Sequence, residues 1–310
     1  MQINILLSTY NGEKFLSQQI DSIIHQTYTD WKLLIRDDGS SDNTVSVIEE
    51  YEKKDNRIVF CNKSQIRNIG VIKSFYELVC FEEADLYFFC DQDDVWLENK
   101  LQLCIDEARK RISNIPLMVY TDLQVVNQNL ELMIPSMIKT QSHHANTKLY
   151  QELTENTVTG GTAMFNHALA KLWKVTDNLV MHDWYLALLA CSFGELVYID
   201  YPTELYRQHD SNVLGARTWS KRIKGWLKPQ ELVQKYWHLI TISQNQARHL
   251  LDLPLSEKDR GLVFDFVTIL EKPLLQRIQI LRNQLLRKNR WFHTLVFRTL
   301  IITKFGYRRK

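Results

Sequence analysis

Three carboxylates at the end of an apolar run carry the clearest chemistry in this sequence. Leu86-Tyr87-Phe88-Phe89-Cys90 reads as a buried strand and empties into Asp91-Gln92-Asp93-Asp94-Val95-Trp96. Side chains alternate along a strand, so Asp91 and Asp93 point the same way and their oxygens can converge on one hard cation. Mg2+ or Mn2+ held by one or two carboxylates keeps its other positions for water and substrate phosphate, which points to a phosphate-bearing substrate. The structural alternative is an acidic turn capping a helix that starts near Trp96.

The elements that must position this cluster follow from the apolar periodicity. Residues 3–8 predict a strand, 14–25 a helix with Phe15, Ile20, Ile23 and Ile24 on one side, and 31–36 a second strand. A helix over 42–53, a strand over 58–61 and a helix over 70–80 lead to the strand at 86–90. This alternation predicts an α/β fold, a mostly parallel sheet covered on both faces, with ligands bound beyond the carboxyl ends of its strands. Two more strand exits carry polar clusters, Ser8-Thr9-Tyr10-Asn11-Gly12 and Asp37-Asp38-Gly39-Ser40-Ser41-Asp42. Ser41 or Asp42 also suits a helix cap and Gly39 a tight turn, so the second cluster has a structural reading of its own. Beyond Pro116 come a strand over 117–121, an irregular polar stretch around 139–146, and Thr159-Gly160-Gly161-Thr162. A helix over about 183–193, a strand over 196–199 and the polar run Tyr206-Arg207-Gln208-His209 follow.

Charge divides the chain unevenly. The 310 residues carry a formal net charge of only +2, yet residues 1–216 hold 18 Lys and Arg against 30 Asp and Glu, a net of −12, and residues 217–310 hold 20 against 6, a net of +14. We therefore expect an acidic catalytic body over 1–216 and a basic helical region over 217–310 whose partner is anionic, a membrane surface or a nucleic acid. The five cysteines form no C-x-x-C pair and are expected to be reduced, buried thiols. The first residues open on a strand pattern without a basic region or cleavage site, so no signal peptide is expected. The apolar stretch 292–305 is interrupted by His293, Arg298 and Lys304, too short and too charged to span a bilayer.

Six segments, S-T-Y-N-G, R-D-D-G-S-S-D, D-Q-D-D-V-W, G-G-T, H-D-W and R-Q-H, stand in an order that resembles the inverting nucleotide-sugar glycosyltransferases of family 2, which have the GT-A fold. Within that family, Arg36-Asp37-Asp38-Gly39, Cys90 to Trp96 and the ending Lys304-Phe305-Gly306-Tyr307-Arg308-Arg309-Lys310 look most like streptococcal rhamnosyltransferases that build cell-wall rhamnan. The resemblance implies dTDP-β-L-rhamnose as donor and a polyprenyl-diphosphate-linked saccharide as acceptor. It implies Thr9, Tyr10 and Asn11 against the nucleotide and Asp38, with Asp37, at the base. Asp91 becomes a ribose or metal contact, Asp93 the principal metal ligand, and Asp183 the catalytic base. Many relatives have Glu-Asp where this chain has His182-Asp183. His182 is then either an acceptor contact or a satisfied core histidine.

The chemistry is coherent in its own terms. In an inverting transfer the base and the stabiliser of the leaving diphosphate stand on opposite sides of the sugar. Asp183 supplies the first and contributes about 10²- to 10⁴-fold. A metal on Asp93, with Asp91 and His209 as further ligands, supplies the second, with Arg207 and His209 near the phosphates or, alternatively, forming a surface pair. Inversion of a β-linked donor gives an α-L-rhamnoside. Gly160 and Gly161 let backbone approach a sugar or simply make a turn, and Trp96 and Trp184 either stack on a sugar ring or belong to the core. In the basic region Trp219, Trp226, Trp237 and Trp291 interleave with Lys and Arg, the composition of helices lying in a membrane interface. That predicts a cytoplasmic enzyme held on the inner face of the membrane; a helical subdomain or homo-oligomer interface is the alternative. A nucleic-acid-binding protein gives the strand-exit carboxylates no role, so no nucleic acid partner is expected. Two enzyme alternatives remain: a family 2 transferase using a UDP-hexose, and a metal-dependent nucleotidyltransferase, which usually adds the basic, Gly-rich phosphate loop that Ser8 to Gly12 lacks.

Overall fold

The computed structural model describes residues 1–112, 114–174, 177–209 and 229–307. The boundary expected near residue 216, with Trp219 and Trp226, lies outside the described residues. The chain runs β1 (Ile3–Thr9), α1 (Leu16–Ile24), β2 (Lys32–Asp37), α2 (Thr44–Lys54), β3 (Ile58–Phe60), α3 (Val71–Phe81), β4 (Leu86–Cys90), β5 (Val95–Trp96) and α4 (Lys100–Arg109). After it come β6 (Leu117–Val126), β7 (Leu132–Ile134), a π-helical turn at Ile138–Ser142, α5 (Leu149–Glu152), a 3-10 turn at Gly160–Thr162, β8 (Ala163–Asn166), α6 (His167–Ala170), α7 (His182–Phe193) and β9 (Glu195–Arg207). Four longer helices follow: α8 (Pro229–Arg248), α9 (Glu257–Thr268), α10 (Leu274–Asn283) and α11 (Trp291–Thr303).

One sheet in the order β3-β2-β1-β4-β8-β6-β9-β5, with β7 on β6, runs through the molecule. Its first half is parallel, β3, β2, β1 and β4 side by side, so the exits of β1, β2 and β4 open at one end. In the second half β8 inserts antiparallel between β4 and β6, while β6 and β9 pair in parallel. The short strand expected at 196–199 is the start of β9, which continues past a register shift near Pro202 to Arg207. Trp96, expected at a helix start, sits on β5 and pairs with Glu204, and the helix begins at Lys100.

Period-two alternation divides the strand residues between two cores. Ile3, Ile5 and Leu7 of β1, Leu33 and Ile35 of β2, and Leu86, Phe88 and Cys90 of β4 pack with α1 and α4 on one face. Leu6, Leu34, Tyr87 and Phe89 face the other way, against α3 and α7. Residues of α8 to α11, including Tyr236, Ile240, Phe266 and Phe297, belong to that second cluster, so the C-terminal helices share a core with α7. Trp237, expected at a membrane interface, is buried there and donates its indole N–H to Phe305 O (2.8 Å). Among the described residues no helix is long and apolar enough to cross a membrane.

Candidate active site

The strand exits are tied together by their own polar groups. Thr9 Oγ1, at the end of β1, donates to Asp37 Oδ1 (3.0 Å), and Asp37 Oδ2 accepts from the N–H groups of Gly39 (3.0 Å) and Ser40 (2.8 Å). That turn needs a left-handed backbone at Gly39, whose φ is 87°. Asp38 accepts from Arg36 Nη1 (2.8 Å), Ile69 N (2.7 Å) and Gly70 N (3.0 Å). Thr9, Asp37 and Asp38 are buried, while Tyr10, Asn11 and Ser41 are open to solvent at these exits. Asn11 Oδ1 accepts from Ser41 N (2.8 Å), which joins the β1 exit to the β2 exit. Gln92 joins the β1 exit to the acidic turn, accepting from Tyr10 N (2.8 Å) and donating to Tyr10 O (3.0 Å).

Within the acidic turn, Asp93 Oδ2 and His209 Nε2 meet at 2.6 Å. Asp94 is buried, with Oδ1 accepting from Arg207 N (2.8 Å) and Oδ2 unpartnered. Burial and the charges of Glu204, Asp93 and Asp91 push its carboxyl well up. Desolvation, then Asp93, Glu204 and Asp183, push the Asp91 carboxyl up to about 8. Arg207, expected at the phosphates, is 1% exposed; its guanidinium donates to Asp93 O (2.8 Å), Gln128 O (2.7 Å) and Gln18 Oε1 (2.7 Å). These bonds tie it to the acidic turn. Among the described residues no three His, Cys, Asp or Glu side chains form a ready-made metal cage. The donor set nevertheless fits Mg2+ or Mn2+. Asp93 and His209 meet at 2.6 Å, Asp91 lies within electrostatic reach of Asp93 without completing a three-residue cluster, and such ions take remaining ligands from water and phosphate.

The Gly160–Thr162 turn lies against the start of α7. A Cβ placed on Gly160 would lie 3.7 Å from both Asp183 Oδ2 and His182 Nε2, so the glycine brings backbone against both side chains. Burial pushes the Asp183 carboxyl up to about 7, against the pull of backbone N–H groups of Trp184 and Gly160. A Cβ on Gly161 would meet Glu204 Oε1 at 2.5 Å, so only glycine fits there. Glu204 in turn pairs with Lys100 Nζ (2.5 Å), both side chains fully buried; the same ammonium donates to Gly161 O and lies 3.9 Å from the centre of the Trp96 ring. Trp96 is therefore core. So is Trp184, whose indole N–H donates to Glu152 O (2.9 Å), and neither ring is placed to stack on a sugar. Sequence reasoning assigned no role to Lys100, Glu204, Gln92 or Glu152. Gln92 lay inside the acidic motif, where the period-two pattern gives it the opposite face; the other three had no local signal.

The charge of Asp183, like those of Asp93 and Glu204, acts on the Asp91 carboxyl, so the acidic turn after β4 and the start of α7 stand within electrostatic reach of one another. Residues 4–173 match the model of glycosyl transferase family 2. The chain belongs to that family. It is a glycosyltransferase, and four of the six segments fall within the matched residues. It is 29% identical over 245 residues to the dTDP-rhamnosyl transferase RfbG of Shigella flexneri, across 75% of this chain and 80% of that protein. In structure it is similar to S. aureus TarS 1-349 in complex with UDP-GlcNAc, with a TM-score of 0.58 and 16% identity over 99% of this chain and 93% of that one. It is also similar to the mannosyltransferase PcManGT of Pyrobaculum calidifontis in complex with GDP-Man and Mn2+, with a TM-score of 0.52 and 11% identity over 90% and 73%. The fold is that of GT-A transferases.

Proposed function

We propose that this family 2 glycosyltransferase moves L-rhamnose from dTDP-β-L-rhamnose to a lipid-linked saccharide, forming an α-L-rhamnosidic bond in the assembly of a cell-wall rhamnan. The observation that carries the donor is the similarity to a dTDP-rhamnosyl transferase across three quarters of the chain. Thr9, Tyr10 and Asn11, with the loop shaped by Asp37 and Asp38, receive the nucleotide. Asp183 takes the proton of an acceptor hydroxyl as its oxygen bonds to the anomeric carbon, and the bond from that carbon to the diphosphate oxygen breaks, its electron pair leaving on dTDP. A divalent ion held by Asp93 and His209, with Asp91, would neutralise charge growing on that diphosphate. The buried Asp183 carboxyl, raised to about 7, suits a base working near neutral pH.

The lipid-linked acceptor implies work at the cytoplasmic face of the membrane, and the exposed apolar side of the C-terminal helices supports that placement. Incubating the protein with dTDP-rhamnose, a lipid-linked rhamnosyl-GlcNAc and Mg2+ or Mn2+, then reading the product by mass spectrometry and NMR, tests the assignment. Transfer with release of dTDP and an α-anomeric signal is the expected result. Transfer from a UDP-sugar alone overturns the donor, and formation or consumption of pyrophosphate points to nucleotidyltransferase chemistry instead.

A further inference from the structure

His182 opens α7 immediately before Asp183, and it is 4% exposed. Its ring stacks on Phe75 with centroids 4.4 Å apart, meets Phe89 edge-on at 4.6 Å and lies parallel to Trp173 at 6.1 Å. Neither ring nitrogen has a hydrogen-bond partner. Burial among these aromatic rings keeps the imidazole neutral, so one nitrogen carries a proton to donate and the other a lone pair. Leaving both unmet costs stability, and a phenylalanine would fill the same cage without that cost. A group that stays polar at such a position has its partner elsewhere. Nε2 lies against Gly160, at the same 3.7 Å from a Cβ placed there as Asp183 Oδ2, so the imidazole nitrogen and the base flank one side-chain-free point of backbone.

We propose that His182 is a sugar-binding residue whose Nε2 hydrogen-bonds a hydroxyl of the sugar held beside Asp183, and that it thereby sets which sugar is accepted. The inference rests on the reading of the site as a transfer centre. Either sugar, donor or acceptor, presents such a hydroxyl, and steady-state kinetics with each varied in turn tells them apart.

The test compares His182→Phe, His182→Gln and Gly160→Ala with the wild-type protein. Phenylalanine preserves the aromatic packing, glutamine restores a polar end, and the alanine methyl reaches ordinary contact distance from both atoms without a clash. Melting temperature and dTDP affinity report the fold. Loss of one neutral hydrogen bond is worth about fivefold, so kcat/KM falls by about that much in His182→Phe, is partly restored in His182→Gln, and falls in Gly160→Ala. A KM rise for one substrate names the sugar that is held, and a fall in kcat alone means a bond made only in the transition state. Folded His182→Phe with wild-type kcat and both KM values overturns the proposal and makes the histidine a core residue. If His182→Phe does not fold, unchanged kinetics in Gly160→Ala overturn it equally. Should the wild-type enzyme use a nucleotide sugar other than dTDP-rhamnose, the proposed donor fails, and the same comparison with that donor still decides the role of His182.

Discussion

Asp183 combines two properties that pull against each other. It sits in the first turn of α7, where unpaired backbone N–H groups favour a negative charge, and Trp184 N donates to its Oδ1 at 2.6 Å. Burial outweighs this and raises its carboxyl to about 7. A base must be ionised to accept a proton, so kcat/KM is expected to rise about tenfold per pH unit below 7 and to level off above it. Asp183→Asn keeps the shape and the backbone contacts while removing the basic oxygen. Transfer should fall about 10²- to 10⁴-fold with dTDP affinity retained by calorimetry; near-normal transfer would remove Asp183 as the base. The same shift acts on stability. Between the ordinary carboxylate range and about 7 the folded chain holds a proton that the unfolded chain has lost, so raising pH through that window destabilises the fold, and the ionised carboxylate remains a cost above it. Asp183→Asn should remove that part of the slope in melting temperature against pH, a readout independent of catalysis.

One buried ion pair joins four elements beside the strand exits. Lys100, the first residue of α4, binds Glu204 of β9 and Gly161 O in the turn before β8, and its ammonium faces Trp96 of β5. Removing the cation leaves Glu204 buried and unpaired among Asp91 and Asp94, so Lys100→Met should cost about 3–5 kcal/mol. The double variant Lys100→Met with Glu204→Gln should recover much of that loss in a denaturant titration; a double variant no more stable than the single one would mean that the pair does not act as a unit. This element-scale lock also marks the limit of what sequence reveals. The β1, β2 and β4 exits were legible because alternation along strands such as Leu86–Cys90 and the Asp-rich turns are local patterns. The GT-A likeness was legible as a set of motifs in order. Lys100 and Glu204 were not, since each looks like an ordinary charged residue until the fold brings together two positions 104 apart. Trp96 and Trp184 misled for the related reason that an aromatic's partners, an ammonium in one case and Glu152 O in the other, are set by tertiary structure.

At the scale of the molecule, the C-terminal helices are fastened to the catalytic body at two places. Beside the core shared with α7, the segment between α10 and α11 reaches back to the region before the Gly160 turn. Lys288 Nζ donates to Thr154 O, Asn289 N to Glu155 Oε2 (2.9 Å) and Asn289 Nδ2 to His144 O (3.1 Å). This docking fixes which side of α10 and α11 is left outward. Leu274, Leu275, Ile278, Leu285, Trp291 and Leu295 are exposed there, Leu275 and Trp291 each at 79%, along a segment that also exposes Arg282 and Arg287. Large apolar side chains among cations, in a region whose sequence carries a net charge of +14, suit the headgroup layer of an anionic bilayer better than water. The full-length protein should therefore float with vesicles containing phosphatidylglycerol and not with pure phosphatidylcholine, and high salt should weaken the attachment. Leu275→Glu with Trp291→Glu should reduce binding at least tenfold while transfer to a short soluble acceptor continues, because neither side chain enters the cleft. Equal flotation of this variant would move the anchor away from α10 and α11. If the wild-type protein ignores both vesicles but light scattering shows a dimer that the substitutions dissociate, the face joins two copies of the chain and is no membrane anchor.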